Sequence, residues 1–380
     1  MLRPDRDHPY PAEVVCVETR KVFALWRVSA PLQSGRFWEP WPRLAAAFLG
    51  AAISCSPAAA AQGALVASSP AAVSISPPLA SPSGRGSFLR AEDHRLAAIA
   101  YRLALAGAPL CPEPAPLTGL LLHHLGEYDA EGRRLVLAAW PLARGPGVLA
   151  VVEGSPAAAS GLAAGDVIAA VNGAAVPSTE AIVAIRDAKA RRAAIEATEA
   201  AIEEQLRRGP VRLSVLRDGG ALDLRLDSRP ACPARVRLAR SRQPNAFANG
   251  RYAIVTTQLL GFTRGDDELA IVVAHELAHN ILDHKARLES QKVPKGLLRR
   301  FGKNASRIRT TEEEADRLAV RLLAAAGYDT AAIIPFWRRF YARYDSPQLF
   351  RTHPGLKARE ALIAEELARL TRSNLGAQRP

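Results

Sequence analysis

His275, Glu276 and His279 are the residues with which this sequence can do chemistry, and they stand in the run Val272-Val273-Ala274-His275-Glu276-Leu277-Ala278-His279-Asn280. Residues four apart on a helix stack on one face, so both imidazoles can aim a ring nitrogen at the same ion. Zinc at roughly 2.0–2.1 Å from each nitrogen suits that spacing. Glu276 falls one residue round, beside the metal, where its carboxylate can take a proton from an activated water. The chemistry implied is metal-assisted hydrolysis, with a peptide bond as the first substrate class. The five-residue pattern alone also occurs in proteins that bind no metal. Here Leu269, Ile271, Val272, Val273, Leu277, Ile281 and Leu282 surround it, which marks a buried helix. Buried histidines and a glutamate need partners that such neighbours cannot supply.

Two histidines leave a catalytic zinc one protein ligand short, and a later helix must provide the third. Thr310-Thr311-Glu312-Glu313-Glu314-Ala315-Asp316 offers candidates, with a capping box to start a helix there and Gly327 to stop it. Glu312 shares a stripe with Ala315, Asp316, Ala319 and Leu323, small enough for a partner helix to come close, so Glu312 is the expected third ligand. Asp316, one turn on, is placed to orient a ligand histidine. Glu313 and Glu314 face Arg317 and Arg321 and read as favourable charge at a helix N-terminus.

The pair His275-Glu276-Leu277-Ala278-His279 and Glu312-x-x-Ala315-Asp316 resembles the gluzincin metallopeptidases of the HtpX, BepA and CAAX prenyl protease type. Asn245-Ala246-Phe247-Ala248, Tyr252-Ala253-Ile254-Val255-Thr256-Thr257 and Thr352-His353-Pro354 are similar to further parts of that family, so the likeness covers residues 236–371. It implies one zinc per chain and endopeptidase activity. It also implies an edge strand at Asn245, Ala246, Phe247 and Ala248 that pairs with substrate backbone. For His353 it implies a regulatory or transition-state role near the metal; a plain loop histidine before proline is the other reading.

Those elements sit in a chain of 380 residues with formal net charge +13 and 48% hydrophobic residues, enough for more than one folded core. No nucleic-acid-binding pattern accompanies the charge, so no nucleic acid is expected as a partner. An anionic membrane surface or solubility explains it as well. Arg43 followed by the apolar run 44–53 and the alanines at 58–61 reads as an export signal cleaved near Ala61, with residues 1–61 removed. The run is too short to span a bilayer. Ala52-Ile53-Ser54-Cys55 departs from a lipid-attachment site at its first position, which argues against an anchor at Cys55. The location expected is the periplasm. Cys111 and Cys232 are then the cysteines of the mature chain, and in an oxidising compartment they pair most simply; two unpaired buried thiols are the alternative.

Residues 62–88, rich in alanine, serine and proline, are a linker. A helix from Glu92 to Leu105 opens residues 89–143, taken as a helix and strands packing on the next domain. From Gly147 to Gly173 the order Gly154-Ser155-Pro156-Ala157, Gly161-Leu162, Gly165-Asp166-x-Ile168, Val171-Asn172-Gly173 resembles a PDZ domain of the bacterial protease kind, spanning residues 144–230. Such a domain implies a groove for an extended peptide beside a helix starting near Ser178, with Arg144-Gly145-Pro146-Gly147 as the loop for a terminal carboxylate. Pro146 has no amide to offer it. A plain β-rich spacer is the alternative. Residues 178–208 are long for one groove helix, and a helical hairpin inserted in the domain is expected.

His284 lies nine residues past His275, about 180° round a straight helix, and so is not expected as a ligand of the same ion. His123-His124 has no third partner in the sequence. Residues 292–309 carry seven basic and no acidic side chains and read as a basic surface loop. The aromatic run from Phe336 to Tyr344 reads as core, and 372–380 as a tail. The expected fold is α+β and multidomain: a PDZ-like β domain with helical insertion, then a mainly α-helical zincin-type metallopeptidase domain with a small edge sheet. The expected function is a zinc metalloendopeptidase acting on unfolded or misfolded envelope proteins and peptides in quality control. A non-proteolytic periplasmic peptide-binding chaperone that keeps the same fold is the alternative.

Overall fold

Short apolar runs punctuated by glycine dominate residues 115–256, and long amphipathic periods dominate residues 257–377. The computed structural model describes residues 91–139, 142–294, 302–344 and 355–377. The export signal, the linker, Cys55, His353 and the middle of the basic stretch lie outside the described residues. In chain order the elements are α1 (Ala91–Ala106), β1 (Ala115–Leu117), β2 (Leu120–His123), α2 (Ala130–Ala139), β3 (Gly147–Val151), α3 (Pro156–Ala159), β4 (Val167–Val171) and β5 (Ala174–Ala175). Then come α4 (Thr179–Ala184), α5 (Ala188–Arg208), β6 (Val211–Arg217), β7 (Gly220–Leu226), β8 (Arg229–Ala231), β9 (Val236–Ala239), β10 (Ala246–Ala248) and β11 (Ala253–Thr256). The remaining helices are α6 (Thr257–Phe262), α7 (Asp266–Ile281), α8 (His284–Ser290), α9 (Gly302–Ala325), α10 (Ile333–Arg343) and α11 (Leu356–Ala377).

The mixed α and β architecture agrees with the sequence pattern. One antiparallel sheet runs in the order β2-β3-β4-β6-β7, with β5 beside β4. Two of its hairpins close on Asn172-Gly173 and Asp218-Gly219, all four residues with positive φ, which is the backbone a two-residue turn of this hand demands. Leu122, Val148, Ile168, Val171, Leu213, Val215 and Leu226 fill one face of that sheet against Ile202 and Leu206 of α5. The helical hairpin expected over 178–208 does not form. Ile185 to Asp187 separate a short α4 from the single 21-residue helix α5, which Asp187 caps through the Ala190 amide.

Helix α1 lies mainly in the helical core and less on the PDZ-like sheet than its place in the chain suggests. Leu96, Ile99, Ala100 and Leu103 join the cluster built from α7, α9 and α10. The reason is composition: α1 offers small and branched side chains to the equally apolar α7, whose residues from Leu269 to Ala278 are all buried. Cys111 and Cys232 are joined by a disulfide, Cα to Cα 5.5 Å, next to the pairing of β1 with β8.

A second sheet has the order β10-β11-β9, with β10 at one edge, antiparallel to β11. Helix α7 packs beneath it and α9 packs along α7 through Ala315 and Ala319. The start of α9 differs from the capping-box expectation. It begins at Gly302, so Thr310 and Thr311 sit inside it and return their hydroxyls to the Ser306 and Ile308 carbonyls. Lys303, Arg307 and Arg309 are therefore helical, and Arg307 reaches the Gln291 carbonyl at 3.1 Å.

Candidate metal centre

The apolar faces of α7 and α9 bring their few polar residues together by burying everything else. His275 Nε2 and His279 Nε2 are 3.2 Å apart, and each lies 3.6 Å from a different carboxylate oxygen of Glu312. A tetrahedral zinc with bonds of about 2.0–2.1 Å holds its ligand atoms about 3.3–3.4 Å from one another, so the three donors already stand at metal-ligand spacing. Among the described residues these three form the group able to hold such an ion.

The electrostatics favour a cation at that point. Burial opposes a charged His275 ring, yet Asp316, with Glu312 behind it, pushes the imidazole up to about 10. His275 Nδ1 meets Asp316 Oδ1 at 2.9 Å, which leaves Nε2 to face the other donors. Burial would raise the Asp316 carboxyl, but Arg359 and then His275 hold it below its usual value.

Arg359 does not stand out in the sequence as a site residue, yet the structure makes it one. It sits on α11, 1% exposed, with Nε 2.8 Å from Asp316 Oδ2 and Nη2 3.8 Å from Glu312, and its guanidinium lies 4.1 Å over the Trp337 ring. A signal for it exists: Arg359, Ile363 and Glu366 keep helical spacing, and a charged residue on a buried stripe must have partners.

Glu276 is buried and lines a cavity together with His275, Trp337, Phe340, Tyr341 and Ala246. The cavity thus joins the proposed base, one of the three candidate ligands, His275, and the start of the edge strand β10. Asn245 lines it as well, while Phe247 and Ala248 continue β10 and are half-buried.

His284 does not lie on the far side of a straight helix. Helix α7 ends at Ile281, and Asp283 adopts a left-handed backbone with φ 52° that turns the chain into α8. His284 Nδ1 comes 2.8 Å from His279 Nδ1, and its Nε2 lies 3.0 Å from Glu314, which also pairs with Arg287. Burial, and after it Arg287, lowers the His284 pKa below its usual value. Glu314 is therefore more than helix-end charge. His124 does have partners: it approaches Glu199, which also binds Arg237 and the Tyr252 hydroxyl.

In the PDZ-like sheet the expected carboxylate loop leads into β3, an inner strand flanked by β2 and β4, and so has no open edge beside it. Its edge strands are β2 and β7, and β2 is entered through Thr118-Gly119 with Gly119 at φ 75°. A cleft runs between β2 and α5, lined by Leu120, Leu122, Ile202 and Leu206.

Two known families match stretches of the chain. The description "Peptidase family M48" matches residues 224–299 and 296–366, and "PDZ domain" matches residues 147–193. The chain is 29% identical over 150 residues to a Vibrio cholerae protein named "Putative beta-barrel assembly-enhancing protease". That match spans 31% of this chain and 31% of the relative, so the chain accounts for about a third of that protein's length. The two helices that bring His275, His279 and Glu312 together thus belong to a peptidase family M48 domain, with a PDZ domain on its N-terminal side.

Proposed function

We propose that the chain is a zinc metalloendopeptidase that cleaves unfolded or misfolded envelope proteins. The observation that carries this reading is the spacing of His275, His279 and Glu312, already that of zinc ligands. Zinc bound there supplies Lewis acidity to a scissile carbonyl and to the attacking water. Glu276 accepts the water proton on its carboxylate and returns it to the departing amine. Asp316 keeps the proton of His275 on Nδ1. Strand β10 offers its free edge to the substrate backbone, and the aromatic cavity beside Glu276 receives a large apolar side chain. The cleft between β2 and α5 holds a second, extended stretch of substrate or a partner peptide. The name of the Vibrio relative ties that protein to β-barrel assembly, and this supports an envelope setting and export to the periplasm. No described helix is long and apolar enough to cross a membrane.

The test combines metal analysis with casein hydrolysis. The wild-type chain is expected to carry one zinc and to lose activity to a chelator. Glu276→Gln is expected to retain the zinc and to lose hydrolysis by about 10²–10⁴-fold. Undiminished cleavage by that variant, or cleavage that ignores the chelator, rules the mechanism out.

A further inference from the structure

We propose that His284 and Glu314 are positioning residues for His279, fixing which of its ring nitrogens faces the metal. The inference rests on the zinc reading, but its observations are separate. Helix α7 stops at Ile281, and the left-handed Asp283 swings the first residue of α8 back under the last turn of α7. Aspartate is among the few residues that take this backbone readily. The His284 ring, 2% exposed, is thereby laid against His279 on the side away from Glu312.

The contacts leave one place for each proton. A neutral His279 that gives the Nε2 lone pair to the ion must carry its proton on Nδ1. That proton is donated to His284 Nδ1 at 2.8 Å, so His284 must accept there and hold its own proton on Nε2. His284 then donates Nε2–H to Glu314 Oε2 at 3.0 Å, and Arg287 binds the same oxygen. The two ligand histidines are thus supported differently. His275 donates directly to a buried carboxylate, Asp316, whereas His279 donates to a neutral ring that passes the demand outward to a half-exposed one. Outer partners of this type set both the orientation and the basicity of a ligand imidazole.

The experiment uses the full chain and zinc itself as the probe, with affinity measured by competition against a chelator and the melting temperature of the metal-free protein recorded alongside. His284→Leu removes both contacts and is expected to weaken zinc binding by about 10–100-fold while the metal-free melting temperature changes little. His284→Gln keeps one acceptor and one donor in its amide, and is expected to recover affinity to within about threefold of wild type. Glu314→Ala acts at the outer end of the chain of contacts, where folding is least at risk, and is expected to weaken zinc binding without moving the metal-free melting temperature. Wild-type affinity in both His284→Leu and Glu314→Ala overturns the positioning role alone. So does an affinity loss matched by an equal loss of metal-free stability that His284→Gln does not rescue. A wild-type chain that binds no zinc overturns the metal centre together with the inference built on it.

Discussion

Arg359 is buried among the site's acids, and it bears on stability more directly than the ligands do. Its guanidinium touches Asp316, approaches Glu312 and Tyr341, and covers Trp337. Removing one partner of a buried ion pair leaves the other charged and unsolvated, at a cost of about 3–5 kcal/mol. Arg359→Met is therefore expected to lower unfolding free energy by roughly that amount in a denaturant titration. An unchanged midpoint would show that Asp316 finds another partner. At this scale the sequence was legible wherever residues sit on one unbroken helix. His275 and His279 come from a spacing of four, and Glu312 and Asp316 from a shared stripe with Ala315 and Ala319. It was not legible where the chain bends or returns from far away. His284 was projected along a helix that in fact ends three residues earlier, and Arg359 comes from an element 43 positions beyond Asp316.

Between elements, the decisive quantity is the distance from α7 to α9. Ala315 is fully buried at that contact and Ala319 nearly so. A larger side chain would have to push the helices apart, and with them Glu312 from the two imidazoles. Ala315→Leu is expected to cost about 1–3 kcal/mol of stability through overpacking and to weaken zinc binding as well. Calorimetry with and without zinc checks both, since a loss of stability without any loss of zinc affinity would mean that the helices do not set the ligand spacing. The small-residue stripe was readable because its period is helical. The helix start was not, because a threonine three residues before a glutamate looks the same inside a helix as at its end. The arrangement of the PDZ sheet escaped for a similar reason: strand neighbours are set by pairing, and nothing in the run from Gly147 to Val151 says that β2 lies outside it.

Over the whole molecule, a buried ionic cluster links the PDZ domain to the peptidase sheet. Glu199 and Glu203 of α5 pair with Arg235, Arg237 and Arg251 around β9 and β11, with His124 and Tyr252 at the margin. Burial would raise the Glu199 carboxyl, but Arg237, then His124 and Tyr252, hold it well below its usual 4.5. A carboxyl depressed in the folded state adds stability above its unfolded value, and that contribution drains away as pH falls below about 4.5 towards the folded value, because only the unfolded chain then binds the proton. Melting temperature is expected to drop through this range, and Glu199→Gln should flatten the drop while lowering the plateau at neutral pH; an equally steep profile in the variant would locate the effect elsewhere. The same cluster also fixes a length. With α5 tied to β9 by these pairs, a polypeptide bound as proposed in the cleft beside β2 and along the edge of β10 would meet the scissile position after a set count of residues. The protein would then act as a ruler, and products cut from a substrate held in that cleft would share one size instead of forming a ladder.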